Sequence, residues 1–582
     1  YGGILIVFFI ARNLGLLAVL WTLPVLIGDY NTYQLGLYLL YAVAAVGVAV
    51  CWGQVGFLPL GQSVFFGLGA YISGWSLRAF GESWEVWPLL SLAVIVPALS
   101  AWLIGWLVFQ GKKESGPYFS LITLALSMLA FQLATSWNSI TGGFNGLSGI
   151  PEFGGLDSFG SLYYLIAFCL VLALAGSSWL LQAPLGTLWR AISQNEPRLV
   201  FLGYSTGTLK ALAFGYSGAL AGLGGMFYAP HQGLVTPDLC GFILAAELVV
   251  WTAVGGRKSL LGPVSGVVLV GLLTSELRDV FAYWEVLVAL LFIGVVLYLP
   301  NGLSGIFKPL SGLKKTKISP EIAIPARSSV SANGGLSLLF DNVSSQIGTV
   351  HILNKLSFHI KTAGIYCMIG PNGAGKTSSF NVLSGELPLS DGTIQINGQP
   401  LKLAQHRLSA LGISRKFQFP SIFPELTLRE HLSIPLWSNQ AKAHQYLDHR
   451  LHRWRSQVLS SLLIQFPFLS NQHNLASALS HGERQILELV MTLIAEPKLL
   501  LLDEPCAGLS PQETKHVIET IREITQENNL TVIIIEHDMQ LVRELAEHLF
   551  VLHQGNLLAE GNVLEIQNNE QVKAVYAGGS KT

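Results

Sequence analysis

Charge is what this sequence is short of. Only 12% of its 582 residues are Asp, Glu, Lys or Arg, against roughly 25% in soluble globular domains. No sign dominates: 34 Lys and Arg stand against 35 Asp and Glu, for a net charge of -1 and a pI near 7.0. A nucleic-acid partner wants a basic face, and none is expected here. Cysteine is scarce too. Cys51, Cys169, Cys240, Cys367 and Cys506 lie scattered without metal-ligand spacing, which excludes a disulfide scaffold or a zinc site and fits reduced, buried thiols.

What is present is apolar: 51% of residues are hydrophobic, with a mean hydropathy of +0.50. The excess is uneven, because residues 1 to about 306 form long apolar stretches and the rest has ordinary soluble composition. Two solvents imply two domains. The expected division is a membrane domain over 1–308, a flexible cytoplasmic linker over 309–335, and a soluble domain over 336–582.

Crossing lipid takes about 20 mainly apolar residues. Stretches near that length occupy 4–27, 33–51, 57–79, 87–109, 118–136, 161–181, 209–229, 240–254, 261–281 and 284–300. An α-helical polytopic membrane domain of about eight to ten transmembrane helices follows. The chain opens on Tyr1, so its numbering is compatible with a longer precursor. The run Gly2–Ile27 is too long for a signal peptide's apolar core and reads as a span. Glycine breaks at Gly53-Gln54-Val55-Gly56 and from Gly61 to Gly69 are tolerated in lipid only where the freed backbone faces protein or a wet cavity. Close packing and a pathway lining both satisfy that condition.

The segment from Thr187 to Glu196 is amphipathic and charged, and Pro197 then opens a second short helix. It belongs outside lipid, and Arg190 and Arg198 place it in the cytoplasm. Lys112, Lys113, Arg257 and Lys258 mark two further cytoplasmic loops, and Lys314, Lys315 and Lys317 mark the linker. Glu247 is the one acid well inside an apolar span, where a carboxylate is expensive enough to suggest a role. Gln54, Asn145 and Glu247 are candidate pathway contacts; pairing with Arg257 is the structural alternative for Glu247.

In the soluble part, short β-rich runs alternate with helical patterns, the mark of an α/β domain with a largely parallel core. Gly370-Pro-Asn-Gly-Ala-Gly375-Lys376-Thr377 follows an apolar strand and precedes a helix, the context required of a P-loop. Gly370, Asn372, Gly373, Ala374, Gly375, Lys376, Thr377 and Ser378 are the candidate ATP-binding residues. Backbone amides approach the phosphates, Lys376 reaches the β and γ oxygens, and Thr377 can hold Mg2+. A second element, Leu499 to Leu502 followed by Asp503, Glu504 and Pro505, delivers two acids at a strand tip. Asp503 is assigned to the metal and Glu504 to the attacking water, since phosphoryl transfer needs mainly positioning and electrostatic help.

Between them stands Leu479-Ser480-His481-Gly482-Glu483-Arg484-Gln485, which resembles the signature of ABC transporters, usually Leu-Ser-Gly-Gly-Gln. The resemblance covers the whole soluble part. It identifies Gln418 as the Q-loop glutamine that would meet the metal, Ala507-Gly508-Leu509-Ser510 as the D-loop, and His537 as the switch histidine. His481 and Glu483 depart from the usual signature, while Ser480 and Gly482, which would contact a partner's γ-phosphate, are kept. No aromatic ring stands where the family usually stacks adenine, because Ser344-Ser345-Gln346-Ile347-Gly348 has none.

In the membrane part, Gly53 to Gly56, Leu60 to Tyr71 and Gly142 to Leu147 resemble permeases of the branched-chain amino acid uptake branch. Finer matches at Arg198 to Tyr204, Glu247 to Arg257, Arg415 to Gln418 and Val551 to Gly555 look most like its urea and short-chain amide subgroup. The resemblance implies a natural fusion of permease and ATPase, multi-pass in a bacterial inner membrane with the ATPase domain cytoplasmic. It also implies an extracytoplasmic solute-binding protein and a second permease/ATPase half, identical or homologous, with closure of the two ATPase domains pressing the Gln418 region, especially Phe419 to Phe423, against the cytoplasmic segment around Arg190 to Phe201. The rival readings are branched-chain amino acid import, an exporter half, and a membrane-tethered regulatory ATPase.

Overall fold

The computed structural model describes residues 2–81, 85–110, 116–280, 283–299, 301–305, 321–323, 336–401 and 404–578. The expected linker, apart from 321–323, lies outside the described residues, as do Lys112 and Lys113. The chain divides into two compact units, Tyr1–Ser193 with Thr206–Ser319, and Gln194–Ser205 with Pro320–Thr582.

The first unit is helical. Its helices are α1 (Gly2–Ile27), α2 (Asp29–Ala49), α3 (Gln62–Phe80), α4 (Val86–Phe109), α5 (Gly116–Ser136), α6 (Asn138–Thr141), α7 (Ser161–Gln182), the first part of α8 (Pro184–Phe201), α9 (Thr206–Gln232), α10 (Phe242–Gly255), α11 (Leu261–Val280) and α12 (Trp284–Tyr298). A helix occupies each of the ten apolar stretches. The four segments Asp29–Val55, Val86–Phe109, Gly116–Ser136 and Ser161–Gln182 are long and apolar enough to cross a membrane. Helices apolar on every side belong in lipid or in a large core. Here α2 is buried along most of its length, packed against α9, α11, α7 and α10.

The glycine breaks are packing sites. A β-carbon on Gly53 would collide with the Arg257 carbonyl, and one on Gly61 with the Thr123 carbonyl. The chain continues from α2 through a π-helical turn, Val50–Val55. The two-residue strands β1 (Leu147–Ser148) and β2 (Leu234–Val235) pair antiparallel, and a 3-10 turn, Pro237–Cys240, follows β2. That turn enters the bundle: the Ser63 hydroxyl donates to the Cys240 carbonyl at 3.1 Å.

The expected pathway residues do not converge. Gln54 donates to the Lys258 carbonyl at 3.1 Å, and its π-helical turn lies on the first part of α9, where the Cys51 thiol meets the Ala213 carbonyl at 3.5 Å. Exposed Asn145 adjoins Gly146, which packs on Val235 beyond the end of α9. Helix α9 has 27 residues, so its ends are about 40 Å apart at 1.5 Å per residue. Arg257 stacks on the Trp52 ring at 4.8 Å, and among the described residues it forms no ion pair with Glu247.

The second unit holds two principal sheets and a short parallel pair, β3 (Ile322–Ala323) with β10 (Trp454–Arg455). An antiparallel sheet has the order β5-β4-β7-β8, from β4 (Leu338–Ile347), β5 (Val350–Ile360), β7 (Asp391–Ile396) and β8 (Gln399–Pro400). The larger sheet has the order β14-β13-β6-β12-β11-β9, from β6 (Gly364–Ile369), β9 (Ile413–Lys416), β11 (Leu499–Asp503), β12 (Thr531–Ile535), β13 (His548–His553) and β14 (Asn556–Gly561). All its neighbours are parallel except β13 with β14. Leu499 to Leu502 have no exposed surface, as expected of a strand covered on both faces. The described helices of this unit are α13 (Lys376–Leu383), α14 (Leu428–Trp437), α15 (Gln457–Gln465), α16 (His481–Ile494), α17 (Pro511–Asn528), α18 (Met539–Leu545), α19 (Val563–Asn568) and α20 (Glu570–Gly578).

Residues 194–205 fold with this second unit although in sequence they sit among the membrane spans. Helix α8 breaks at Asn195, whose φ of -156° and ψ of 81° are non-helical.

Candidate nucleotide site

The parallel register sets the site. Asp503 pairs with Ile535, and Ile535 with Met368, so β11, β12 and β6 end together and release Glu504, Glu536 and the loop 370–375 at one edge. Ligands of open parallel sheets bind at that carboxyl edge. In the loop, Gly373 and Gly375 have φ of 78° and 98°, a region open chiefly to glycine. A β-carbon on Gly375 would stand 2.9 Å from Leu353. Ala374 accepts from the Gly555 amide at 3.0 Å. Asn372, Gly373 and Thr377 are exposed, and Ser378 is half-buried at the first turn of α13.

Lys376 is buried, and its ammonium donates to the Gly370 carbonyl at 2.8 Å and the Pro371 carbonyl at 3.1 Å. Burial lowers its pKa, while Glu504 and Asp503 oppose that shift. The ammonium therefore rests on the loop's own carbonyls, where a phosphate can take their place.

Asp503 is almost fully buried, and neither of its oxygens is held in a hydrogen bond of ordinary geometry. Burial raises its pKa against the pull of Arg415, 4.0 Å away, and of the Thr377 hydroxyl. A buried carboxylate with unclaimed oxygens beside a hydroxyl suits a hard divalent cation. A cavity of about 430 Å³ is lined by Thr377, Asn381, Arg415, Gln418 and Asp503 among others. Glu504 has a φ of 46°, a left-handed conformation that is strained for a residue with a side chain and recurs at functional sites. Its amide donates to the Ile535 carbonyl at 3.0 Å, and its carboxylate meets His537 Nε2 at 2.9 Å. Glu536, beside them, is pushed up to about 7 by burial.

Ser480 and Gly482 are arranged differently. Ser480 caps α16: its hydroxyl accepts from the Glu483 amide at 3.2 Å, and Glu483 accepts from the Ser480 amide at 2.8 Å. This reciprocal cap accepts Glu as readily as Gln at its third position, which accounts for one departure in the signature. A β-carbon on Gly482 would stand 2.9 Å from the Glu513 carboxylate, and one on Gly508 would stand 3.3 Å from the His481 ring. Signature and D-loop thus touch each other, and among the described residues no hydrogen bond joins Ser480 or Gly482 to the phosphate loop.

The expected meeting of the segment around Arg190 to Phe201 with Phe419 to Phe423 is present at Asn195 and Ser421, but the sequence reading did not single out the buried cluster that holds it. Arg198 donates to the Arg415 carbonyl at 2.8 Å and pairs with Glu488 of α16 at 3.4 Å, with neither side chain exposed. Asn195 donates to the Ser421 hydroxyl at 2.8 Å, Gln194 accepts from the Glu425 amide at 2.7 Å, and Tyr204 donates to the Ile434 carbonyl at 2.6 Å. Arg415 donates to Ser384, Asn381 and Glu386 at 2.8, 2.7 and 3.1 Å. The available signal was Glu488, an acid inside the otherwise apolar run Ile486 to Met491.

Residues 32–299 match the family described as the branched-chain amino acid transport system permease component, and residues 353–507 match the family described as ABC transporter. The high-affinity branched-chain amino acid transport ATP-binding protein LivG of Salmonella typhimurium is 33% identical over 253 residues, which is 41% of this chain and 97% of that protein. The chain belongs to the ABC transporters. The ATP-binding protein BraF of Pseudomonas aeruginosa is 31% identical over 40% of this transporter and 95% of its own length. A solved nucleotide-free ATP-binding cassette from an ABC transporter aligns at 25% identity and a TM-score of 0.35, over 42% of this chain and 95% of that one. The transporter joins a permease of the branched-chain amino acid/urea branch to an ATP-hydrolysing ABC domain in one membrane-bound chain.

Proposed function

We propose that this chain is one permease–ATPase half of an importer for a small polar solute of the urea or short-chain amide type. The permease would occupy 1–308, the linker 309–335 and the ATPase 336–582. The observation that carries ATP-driven transport is the burial of residues 194–205, chain drawn from among the membrane spans, behind the Q-loop of the ATP site. Preference for urea rests on the resemblance of Arg198 to Tyr204 and Glu247 to Arg257 to the urea subgroup. Branched-chain amino acid import is the second reading, favoured by what LivG and BraF are named for.

ATP would lie on the 370–378 loop, held by Gly370, Asn372, Gly373, Ala374, Gly375, Lys376, Thr377 and Ser378. Thr377, Gln418 and Asp503 would hold Mg2+, which offsets phosphate charge when bound. Glu504 would orient the attacking water, and His537, 2.9 Å from it, would fix that carboxylate. Ser480 and Gly482 would complete the ATP site of a second half, identical or homologous. Differential affinity of ATP for the closed pair would drive alternating access. An extracytoplasmic binding protein would deliver the solute, with the permease in the lipid of a bacterial inner membrane and the ATPase in the cytoplasm.

The test is uptake by proteoliposomes holding the complete assembly, with labelled urea and labelled leucine in competition. Urea accumulation resisting excess leucine supports the first reading, and the reverse supports the second. Accumulation of neither would overturn both.

A further inference from the structure

We propose that Glu247, with Tyr41, Tyr228 and Trp251, forms the permease's solute site, taking a compact solute that presents paired N–H donors. This rests on the importer reading and names the site for its cargo.

Helix α10 has 14 residues, about 21 Å at 1.5 Å per residue, and cannot alone cross roughly 30 Å of hydrocarbon. The backbone leading into it, Pro237–Cys240, is bonded to α3 through Ser63 inside the bundle. Irregular backbone at that depth persists only where it is buried in protein or lines a wet cavity, and broken helices of this kind mark transporter binding sites. Glu247 stands one turn before Trp251 on α10 and is exposed in the single chain. A carboxylate in an apolar helix that faced acyl chains would be prohibitively placed, so water, solute or protein must meet that face.

Its surroundings are built for recognition. Tyr41 lies 5.4 Å from the Trp251 ring, 5.5 Å from Phe66 and 6.1 Å from Tyr228, and Phe66 lies 5.6 Å from Tyr228. Tyr41 and Tyr228 each bring a hydroxyl to this aromatic group, and Glu247 lies one helical turn from Trp251 on α10. Aromatic faces next to a carboxylate and two hydroxyls suit a flat or compact donor-rich group. A carboxylate accepts two parallel N–H bonds from one partner, which urea and amides with paired N–H groups supply and water or an alcohol does not. An amino acid's ammonium would use the same carboxylate as a single charge beside the aromatic faces.

Two measurements on the complete assembly decide it. Glu247→Gln should raise the half-saturating solute concentration for uptake by about tenfold or more, because a site built to accept N–H bonds discriminates strongly once an acceptor is lost; Glu247→Asp should recover part of it. Unchanged half-saturation in Glu247→Gln would overturn the assignment. The Glu247→Cys variant covers the case where the Gln form fails to assemble. Its new thiol should react with a membrane-impermeant methanethiosulfonate, above the wild-type background, and saturating urea or leucine, whichever the wild type accumulates, should slow that reaction. No reaction with or without ATP, or a reaction the solute does not slow, would overturn the site. A wild type that accumulates neither solute defeats the cargo reading alone, and the reagent's access to position 247 still decides whether that face meets water.

Discussion

Arg198 and Glu488, 290 residues apart in sequence, meet at 3.4 Å with no exposed surface on either side chain. Glu488 also accepts from the Phe417 amide at 3.1 Å, beside Gln418, and belongs to the helix that Ser480 caps. One carboxylate thus ties the 194–205 segment to the Q-loop strand and the signature helix.

Removing one partner of such a pair leaves a buried charge uncompensated, at about 3–5 kcal/mol. Arg198→Met should therefore loosen the 194–205 segment and lower the solute moved per ATP hydrolysed, while ATPase activity persists. Pairing it with Glu488→Met should recover stability but not transport stoichiometry, because the apolar pair packs without fixing orientation. Uptake and phosphate release measured in the same vesicles check this; equal stoichiometry in all three proteins would refute it.

Glu504→Gln keeps the side chain's shape but removes the carboxylate that meets His537 at 2.9 Å. Hydrolysis should fall by about 10² to 10⁴-fold, the usual contribution of a positioned base, with nucleotide affinity retained. Single-turnover hydrolysis and equilibrium nucleotide binding separate the two, and normal turnover would remove Glu504 from the mechanism.

The parts legible in the sequence were those written locally. Ten apolar runs became helices because length and composition suffice for that, and β6, its loop and α13 followed from a motif with its context. Glu483 looked like a departure, although the Ser480–Glu483 cap it forms is itself a local pattern. Arg198 and Glu488 were not legible as a pair, since each is ordinary alone and only the docking of a segment 290 residues away makes them partners. Gln54 and Asn145 show the converse: chemistry suggested a shared site, and the path of α9 sets them at opposite ends.

Asn195 and Ser421, bonded at 2.8 Å, give a direct probe of docking. Cysteines introduced by Asn195→Cys and Ser421→Cys should cross-link through a short bifunctional reagent, and ATP should change the yield if closure moves the 194–205 segment. Absence of the cross-linked species in every nucleotide state would refute the contact.

His431 and Glu536 predict opposite responses to pH. His431 is fully buried; its Nε2 accepts from the Phe423 amide at 3.0 Å and its Nδ1 meets the Thr427 carbonyl at 2.8 Å. Burial holds its pKa down at about 4, so its contribution is present above 6.5 and lost as pH falls towards 4. The difference from 6.5 is about 3 kcal/mol at 1.36 kcal/mol per pH unit. Glu536 has the opposite sign. Burial raises it to about 7, so its stabilisation is full below 4.5 and lost as pH rises to 7, again by about 3 kcal/mol. His431→Gln should flatten the acid side of the stability profile, and Glu536→Gln should raise stability near pH 7.5. Hydrogen exchange at the Phe423 and His537 amides of nucleotide-free protein, followed from pH 5 to 8, reads the two separately. Parallel pH profiles in wild type and variants would show that neither group titrates as its burial demands.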